Sequence, residues 1–213
     1  MSFFETSVEL HRAQRGKWAI ASKVPLESKA DLSVAYTPGI AAVSEAVRDD
    51  RAEAYNLTMK GNSVAIVSDG TAVLGLGNIG PEAALPVMEG KAILFKRFAN
   101  IDGVPLVIQR QSPERTIEVI RAIAPGFGGI NLEDIAAPEC FVIERALQDL
   151  GIPVFHDDQD GTAIVLLAAL LNAARAVGKT PDTLRVVING AGAAGTAIAR
   201  LLRCVGHDSD ICT

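Results

Sequence analysis

Cysteine is scarce in this chain, and long apolar runs are missing. Cys140, Cys204 and Cys212 are its three cysteines. They form neither a metal-ligand spacing nor an even disulfide framework, which makes a reducing cytoplasm the simplest setting. The longest apolar run, Ala163 to Leu171, falls far short of the roughly 20 residues that a bilayer-crossing helix needs and reads as a buried helix. Met1 to Lys17 contains no apolar signal core. There is no Lys/Arg block, and the net charge is −5, which argues against nucleic acid and against an anionic membrane as partner. Internal repeats and low-complexity segments are absent. What remains is 213 residues, 49% hydrophobic and 21% charged. That is enough apolar side chain for a sizeable core, and it suggests one large domain or one and a half.

Acid pairs are present, and their placement matters. Asp157-Asp158 follows a short apolar strand, Pro153 to Phe155, and precedes a long apolar helix. Glu133-Asp134 stands in the same kind of place, after Gly129-Ile130-Asn131-Leu132. In an open parallel sheet, ligands bind at the carboxyl ends of the strands. Two acid pairs at two such ends would converge, and carboxylates that close repel unless a cation sits between them. Hard oxygen ligands suit Mg²⁺ or Mn²⁺. Solvated loop acids are the competing reading of either pair alone; the matching location of the second pair favours the cation.

Taken in order, the chain predicts an N-terminal arm with a helix around Glu5 to Gln14, then a turn at Thr37-Pro38-Gly39 that holds Tyr36 at a chain reversal. Tyr36 there is either a loop anchor or a functional phenol. A helix over Ile40 to Val47 and a strand over Val64 to Val67 follow. Gly75-Leu76-Gly77-Asn78-Ile79-Gly80 has the letters of a dinucleotide loop. Pro81 follows at once, however, and the strand-turn-helix context is missing. A glycine-rich turn whose amides face a substrate carboxylate fits better. Pro86 is expected to open the next helix, on which Val87, Leu94, Phe95 and Phe98 share a face with Lys91. Lys91 either snorkels to the rim or loses water, which lowers an ammonium pKa and makes a general base. From Val104 onward, strands and helices alternate: strands at Val104–Ile108, Ile130–Leu132, Val154–Phe155 and Arg185–Ile188, and helices at Pro113–Ala124, Pro138–Leu150 and Thr162–Val177. This is the pattern of a parallel α/β sheet. Gly178 to Asp182 reads as a linker. Gly190-Ala191-Gly192-Ala193-Ala194-Gly195 is a second G-x-G-x-x-G, and here a strand feeds the loop and a helix leaves it, as a nucleotide site requires. Asp210 to Thr213 looks like the start of the next strand. The acid that would hold the ribose belongs at the end of that strand, beyond this sequence.

The ordered set Ala35-Tyr36-Thr37-Pro38-Gly39, Ser68-Asp69-Gly70 through Gly80, Val87-Met88-Glu89-Gly90-Lys91, Gly128 through Ile135, Phe155-His156-Asp157-Asp158 and Gly190 through Gly195 resembles a malic enzyme of the smaller, prokaryotic type. The resemblance implies an α/β fold: a parallel-sheet malic domain with an N-terminal arm over residues 1–160, then over residues 161–213 a connecting helix and the first β-α-β of a Rossmann-like NAD(P)-binding domain. It implies oxidative decarboxylation of (S)-malate to pyruvate and CO₂, with NAD⁺ or NADP⁺ reduced and Mg²⁺ or Mn²⁺ bound. By position, Glu133, Asp134 and Asp158 match the metal ligands. Lys91 matches the general base, expected to work as a neutral amine, and Tyr36 the general acid. Asp157 matches an acid that supports the lysine. Gly190, Gly192, Ala193, Ala194 and Gly195 match the cofactor loop. The extended N-terminal arm fits a homodimer or higher homo-oligomer. Asp160 stands where the family usually carries His, adding a negative charge expected to lie close to the metal acids. Family members continue through the rest of the cofactor domain, so this stretch alone is expected to turn over little or no malate. Two other readings share the residues: a non-catalytic oligomerisation or regulatory module, and decarboxylation of malate to lactate with NAD retained.

Overall fold

A computed structural model describes residues 2–205 and 211–212. Three helices come first: α1 (Phe3–Gln14), α2 (Lys29–Ala35) and α3 (Ile40–Asp49). Ser2 and Ser28 open α1 and α2 with reciprocal caps to Glu5 and Asp31, which satisfies first-turn N–H groups. None of the three helices buries a residue. The arm meets the body through Trp18, whose Nε1 donates to the Gly103 carbonyl at 2.9 Å, and through Lys17, whose backbone N–H donates to Glu89 Oε2 at 2.8 Å.

After a short helix α4 (Ala54–Leu57), the body alternates: β1 (Ser63–Ser68), α5 (Pro81–Ala99), β2 (Asp102–Val107), α6 (Pro113–Ile123), β3 (Gly129–Leu132), α7 (Glu139–Ala146), β4 (Val154–His156) and α8 (Asp160–Ala176). The four strands form one parallel sheet in the order β2-β1-β3-β4. Side chains of β1 alternate between its faces, as strand geometry demands. Ala65 and Val67 join Ile120, Ile130, Leu132, Ile143 and Val154 in the main core. Ile66 faces the other way, against Met88 and Ala92 of α5. Beyond α8 come β5 (Val186–Val187), α9 (Ala193–Cys204) and β6 (Ile211–Cys212), with β5 and β6 paired in parallel. This is the expected β-α-β unit; Asp210 and Thr213, expected in its second strand, lie outside the described residues.

Three expectations change. Pro81, not Pro86, opens α5. A proline at the first helical position lacks only an N–H that would have had no partner. Pro86 lies inside the helix and leaves the Glu82 carbonyl without its usual bond. The buried face of α5 is Ala84, Met88 and Ala92, while Val87, Leu94 and Phe98 are exposed. Close packing explains this: a Cβ on Gly103 of β2 would come within van der Waals contact of the Ala92 backbone, so helix and strand touch through their smallest residues. The apolar run opening α8 is not buried throughout. Ala163, Leu167 and Leu170 pack against α9, whereas Ile164 and Val165 are exposed. No helix among the described residues is long and apolar enough to cross a membrane.

Ile130 is fully buried in the central strand β3. Ile130→Ala should cost about 3 kcal/mol of stability, read as a lowered urea midpoint at unchanged slope.

Candidate metal and substrate site

Parallel register brings the acid pairs together. Val67 of β1 pairs with Leu132 of β3, and Leu132 pairs with His156 of β4. The next residues, Glu133-Asp134 and Asp157-Asp158, therefore leave adjacent strand ends side by side. The ladder continues one step further, because the Glu133 N–H donates to the Val67 carbonyl at 2.9 Å and the Asp157 N–H to the Leu132 carbonyl at 3.2 Å. Carboxylate oxygens of Glu133, Asp134 and Asp158 lie within 4.8 Å of one another, close enough for one ion to touch all three. Asp134 has φ 54°, in the left-handed region, where a short polar side chain is the best tolerated after glycine. Its backbone N–H donates to Asp158 Oδ2 at 3.2 Å. Its own Oδ2 is buried with no hydrogen-bond partner. A buried acceptor without a donor costs about 1–3 kcal/mol, and a cation is the partner this donor set fits.

Lys91, from α5, lies between the pairs. Its Nζ donates to Asp157 Oδ2 at 2.5 Å and meets Glu133 Oε1 at 3.1 Å. Burial by itself would lower the Lys91 pKa. The Asp157 hydrogen bond and the Glu133 charge outweigh burial and raise it above the usual lysine value. This corrects the expectation of a neutral amine: with the carboxylates unshared, Lys91 is an ammonium. Burial pushes Glu133 up to about 7, against the pull of Lys91 and Asn131. Burial and the Asp158 charge push Asp134 up to about 6. His156 is held below its usual pKa by burial, opposed by Asp158 and the Ile135 backbone.

Several supporting residues went unnoticed in the sequence. Asn131 Nδ2 donates to Glu133 Oε2 at 2.8 Å. Asp69 Oδ1 accepts from Thr71 Oγ1 at 2.6 Å. Thr71 Oγ1 in turn accepts from the Ala136 N–H at 2.9 Å, and the Ala72 N–H donates to the Asp134 carbonyl at 3.0 Å. The loop after β1 thus pins the loop that carries Asp134. The only sequence signal was Asp69 itself, a third acid at a strand end. Two further expected residues have other close surroundings. Tyr36 ends α2, is 66% exposed and makes no side-chain hydrogen bond among the described residues. Asp160 lies against Glu144, where burial and then that contact raise Glu144 to about 7, and its charge also acts on His156. Gln159 Nε2 also donates to Glu144, at 2.8 Å.

The two glycine-rich loops differ. Gly75, Gly77 and Gly80 all have positive φ, and Val73 bridges Gly77, so the first loop is a tight turn. In the second, Gly192 precedes α9 with no side-chain cap, which leaves first-turn N–H groups free for an anion. A Cβ at Gly195 would strike the Gly190 carbonyl, so only glycine permits this close approach of loop and helix.

Comparison with known proteins agrees with both halves of the chain. The family model "Malic enzyme, N-terminal domain" matches residues 15–148, and "Malic enzyme, NAD binding domain" matches residues 159–210. The bifunctional malic/malolactic enzyme of Bacillus subtilis is 53% identical over 207 residues, covering 97% of this chain and 50% of the relative. The NADP-dependent malic enzyme of Escherichia coli is 50% identical over 201 residues, covering 92% and 26%. The crystal structure of malic enzyme from Pyrococcus horikoshii superposes with a TM-score of 0.92 at 52% identity, covering 96% of this chain and 48% of that one. The chain thus spans half the length of the first relative, or less of the second.

The raised carboxyl pKa values have a consequence for metal binding. Glu133 and Asp134 keep their protons to higher pH than free side chains do, so a divalent cation must displace them. Mn²⁺ binding should release protons at neutral pH, and its affinity should fall as pH drops through about 7 and then about 6. Calorimetry in two buffers of different ionisation enthalpy measures the release.

Proposed function

The chain belongs to the malic enzyme family, and we propose that it supplies the metal and substrate half of an enzyme that converts (S)-malate to pyruvate and CO₂ with reduction of NAD⁺ or NADP⁺. One observation carries the reading: three carboxylates within 4.8 Å, beside a lysine bonded to one of them and to a fourth acid. In this reading, residues 1–160 form the substrate unit and residues 161–213 open the nucleotide unit.

Glu133, Asp134 and Asp158 would hold Mg²⁺ or Mn²⁺. When bound, the ion supplies a Lewis acid for the C1 carboxylate and C2 oxygen of malate and for the charge that develops as CO₂ leaves. Lys91 takes the C2 hydroxyl proton as C2 is oxidised, and Asp157 positions Nζ for that transfer. Lys91 can do so only after its ammonium proton has left to solvent, and that loss is favoured when Glu133, committed to the cation, stops stabilising the ammonium. Tyr36 returns a proton to C3. Gly190, Gly192, Ala193, Ala194 and Gly195 would receive the dinucleotide pyrophosphate at the N-terminus of α9. The name of the Bacillus relative supports a second outcome on the same residues, malate to lactate; product analysis distinguishes lactate from pyruvate.

We also propose a homodimer or higher homo-oligomer as the working form. Phe3, Phe4, Val8, Leu32 and Val34 are exposed on helices that bury nothing, apolar side chains that a second copy would cover. Tyr36 lies on the same arm, so covering the arm also fixes the phenol. Sedimentation velocity should give at least twice the chain mass; a concentration-independent monomer refutes the assembly.

The activity is tested by malate-dependent NAD(P)H formation with Mn²⁺ in an enzyme containing this chain. Lys91→Met should lower kcat by a factor of about 10² to 10⁴ while Mn²⁺ affinity is kept. Asp158→Asn should instead weaken Mn²⁺. Unchanged turnover in the lysine variant overturns the assignment of the base, and no turnover in the parent overturns the reaction.

A further inference from the structure

His156 is the residue of this site that neither the sequence reading nor the proposed reaction uses. It is the last residue of β4, it is 0% exposed, and both ring nitrogens are buried without a hydrogen-bond partner. Even with the Ile135 backbone beside the ring, a ring nitrogen left unsatisfied costs about 1–3 kcal/mol. A buried phenylalanine would fill the same space without that cost, so packing alone does not account for an imidazole.

The ring lies against the Ile135 backbone, and its nearest side-chain partner is Asp158. His156 Nδ1 stands 3.8 Å from Asp158 Oδ2, about 1 Å beyond hydrogen-bond length. The same Oδ2 already accepts from the Asp134 N–H. Both protein donors therefore face one oxygen of Asp158. Its other oxygen, Oδ1, has no hydrogen bond among the described residues.

We propose that His156 is a positioning residue for the metal site: its Nδ1 edge faces Asp158 Oδ2 across 3.8 Å and, by closing on that oxygen beside the Asp134 N–H, anchors it and leaves Oδ1 for the cation. Outer donors of this kind fix the rotamer of a ligating carboxylate, and their loss typically costs 10- to 100-fold in metal affinity. His156 also explains how Asp158 can be presented by a chain that has just left its strand. The imidazole is fixed on the last paired residue of β4, and it reaches forward two residues to hold the carboxylate. The inference rests on the metal site proposed above.

The test is Mn²⁺ titration, read by calorimetry and by the electron paramagnetic resonance signal of bound Mn²⁺, with circular dichroism to monitor the fold. His156→Phe keeps the ring and removes the donor; it should weaken Mn²⁺ by roughly 10- to 100-fold with the fold intact. His156→Asn carries an amide nitrogen near the Nδ1 position and should recover most of the affinity. His156→Gln carries one nearer the Nε2 position and should not. If His156→Phe does not fold, the order of the Asn and Gln variants decides. Parental Mn²⁺ affinity in a folded His156→Phe, or equal losses in the Asn and Gln variants, overturns the positioning role. A parent chain that binds no Mn²⁺ overturns the metal site itself, a different result from either of these.

Discussion

Unshared negative charge at two adjacent strand ends is the constraint around which the rest of the site is built. Glu133, Asp134, Asp157 and Asp158 leave β3 and β4 side by side because a parallel register allows nothing else. Such a cluster needs positive charge, and among the described residues the cation paired with it is Lys91, which two of the four acids take. The remaining cost appears in the raised pKa values of Glu133 and Asp134. It also appears in the buried, partnerless Oδ2 of Asp134. A stable fold does not gather four acids unless something else offsets their repulsion.

Rigidity comes from backbone rather than from long side chains. Glu133 and Asp157 are each tied to the neighbouring strand by one further N–H bond. Asp134 is held in a left-handed conformation by contacts to the loop after β1, through Thr71 and Asp69. These anchors fix the ligating atoms before any ligand arrives, which lowers the ordering cost of binding. The helix α5 contributes Lys91 with comparable precision because it lies so close to β2. Gly103, Ala92 and Ala84 allow that approach, and the larger apolar residues of α5 point outward for the same reason.

Much of this was legible in the sequence, and the reason is topological. Strands alternating with helices specify a parallel sheet, and a parallel sheet puts the residues after its strands at one end, so the acid pairs at 133–134 and 157–158 could be brought together from spacing alone. The glycine loop at 190–195 was legible through the strand before it and the helix after it. Contacts across long sequence separation were not legible. Helical periodicity placed Lys91 on an apolar stripe and suggested a depressed pKa, but its charge state is set by Asp157, 66 residues away. Periodicity also chose Val87, Leu94 and Phe98 over Ala84 and Ala92 as the inner face of α5, because it weighs hydrophobic bulk and ignores how near the strand lies. Pro86 was taken for a helix start because a proline is usually one; Pro81 already held that position.

Sharing Glu133 between Lys91 and the trio of ligands couples two equilibria. The ammonium of Lys91 is stabilised by Glu133 and Asp157. A dication engaging Glu133 both withdraws that stabilisation and adds like charge nearby, and both effects lower the lysine pKa. By linkage the coupling is reciprocal: the neutral amine must favour the cation by the same free energy as the cation favours the neutral amine. Under the proposed metal assignment, a lysine that is an ammonium without the ion and a base with it would need no conformational change, only a carboxylate that serves two partners. Asp157 completes the arrangement because it keeps Nζ in place when Glu133 is drawn away. In the proposed reaction, Asp157, the acid outside the trio, is thus the one whose position would govern the proton.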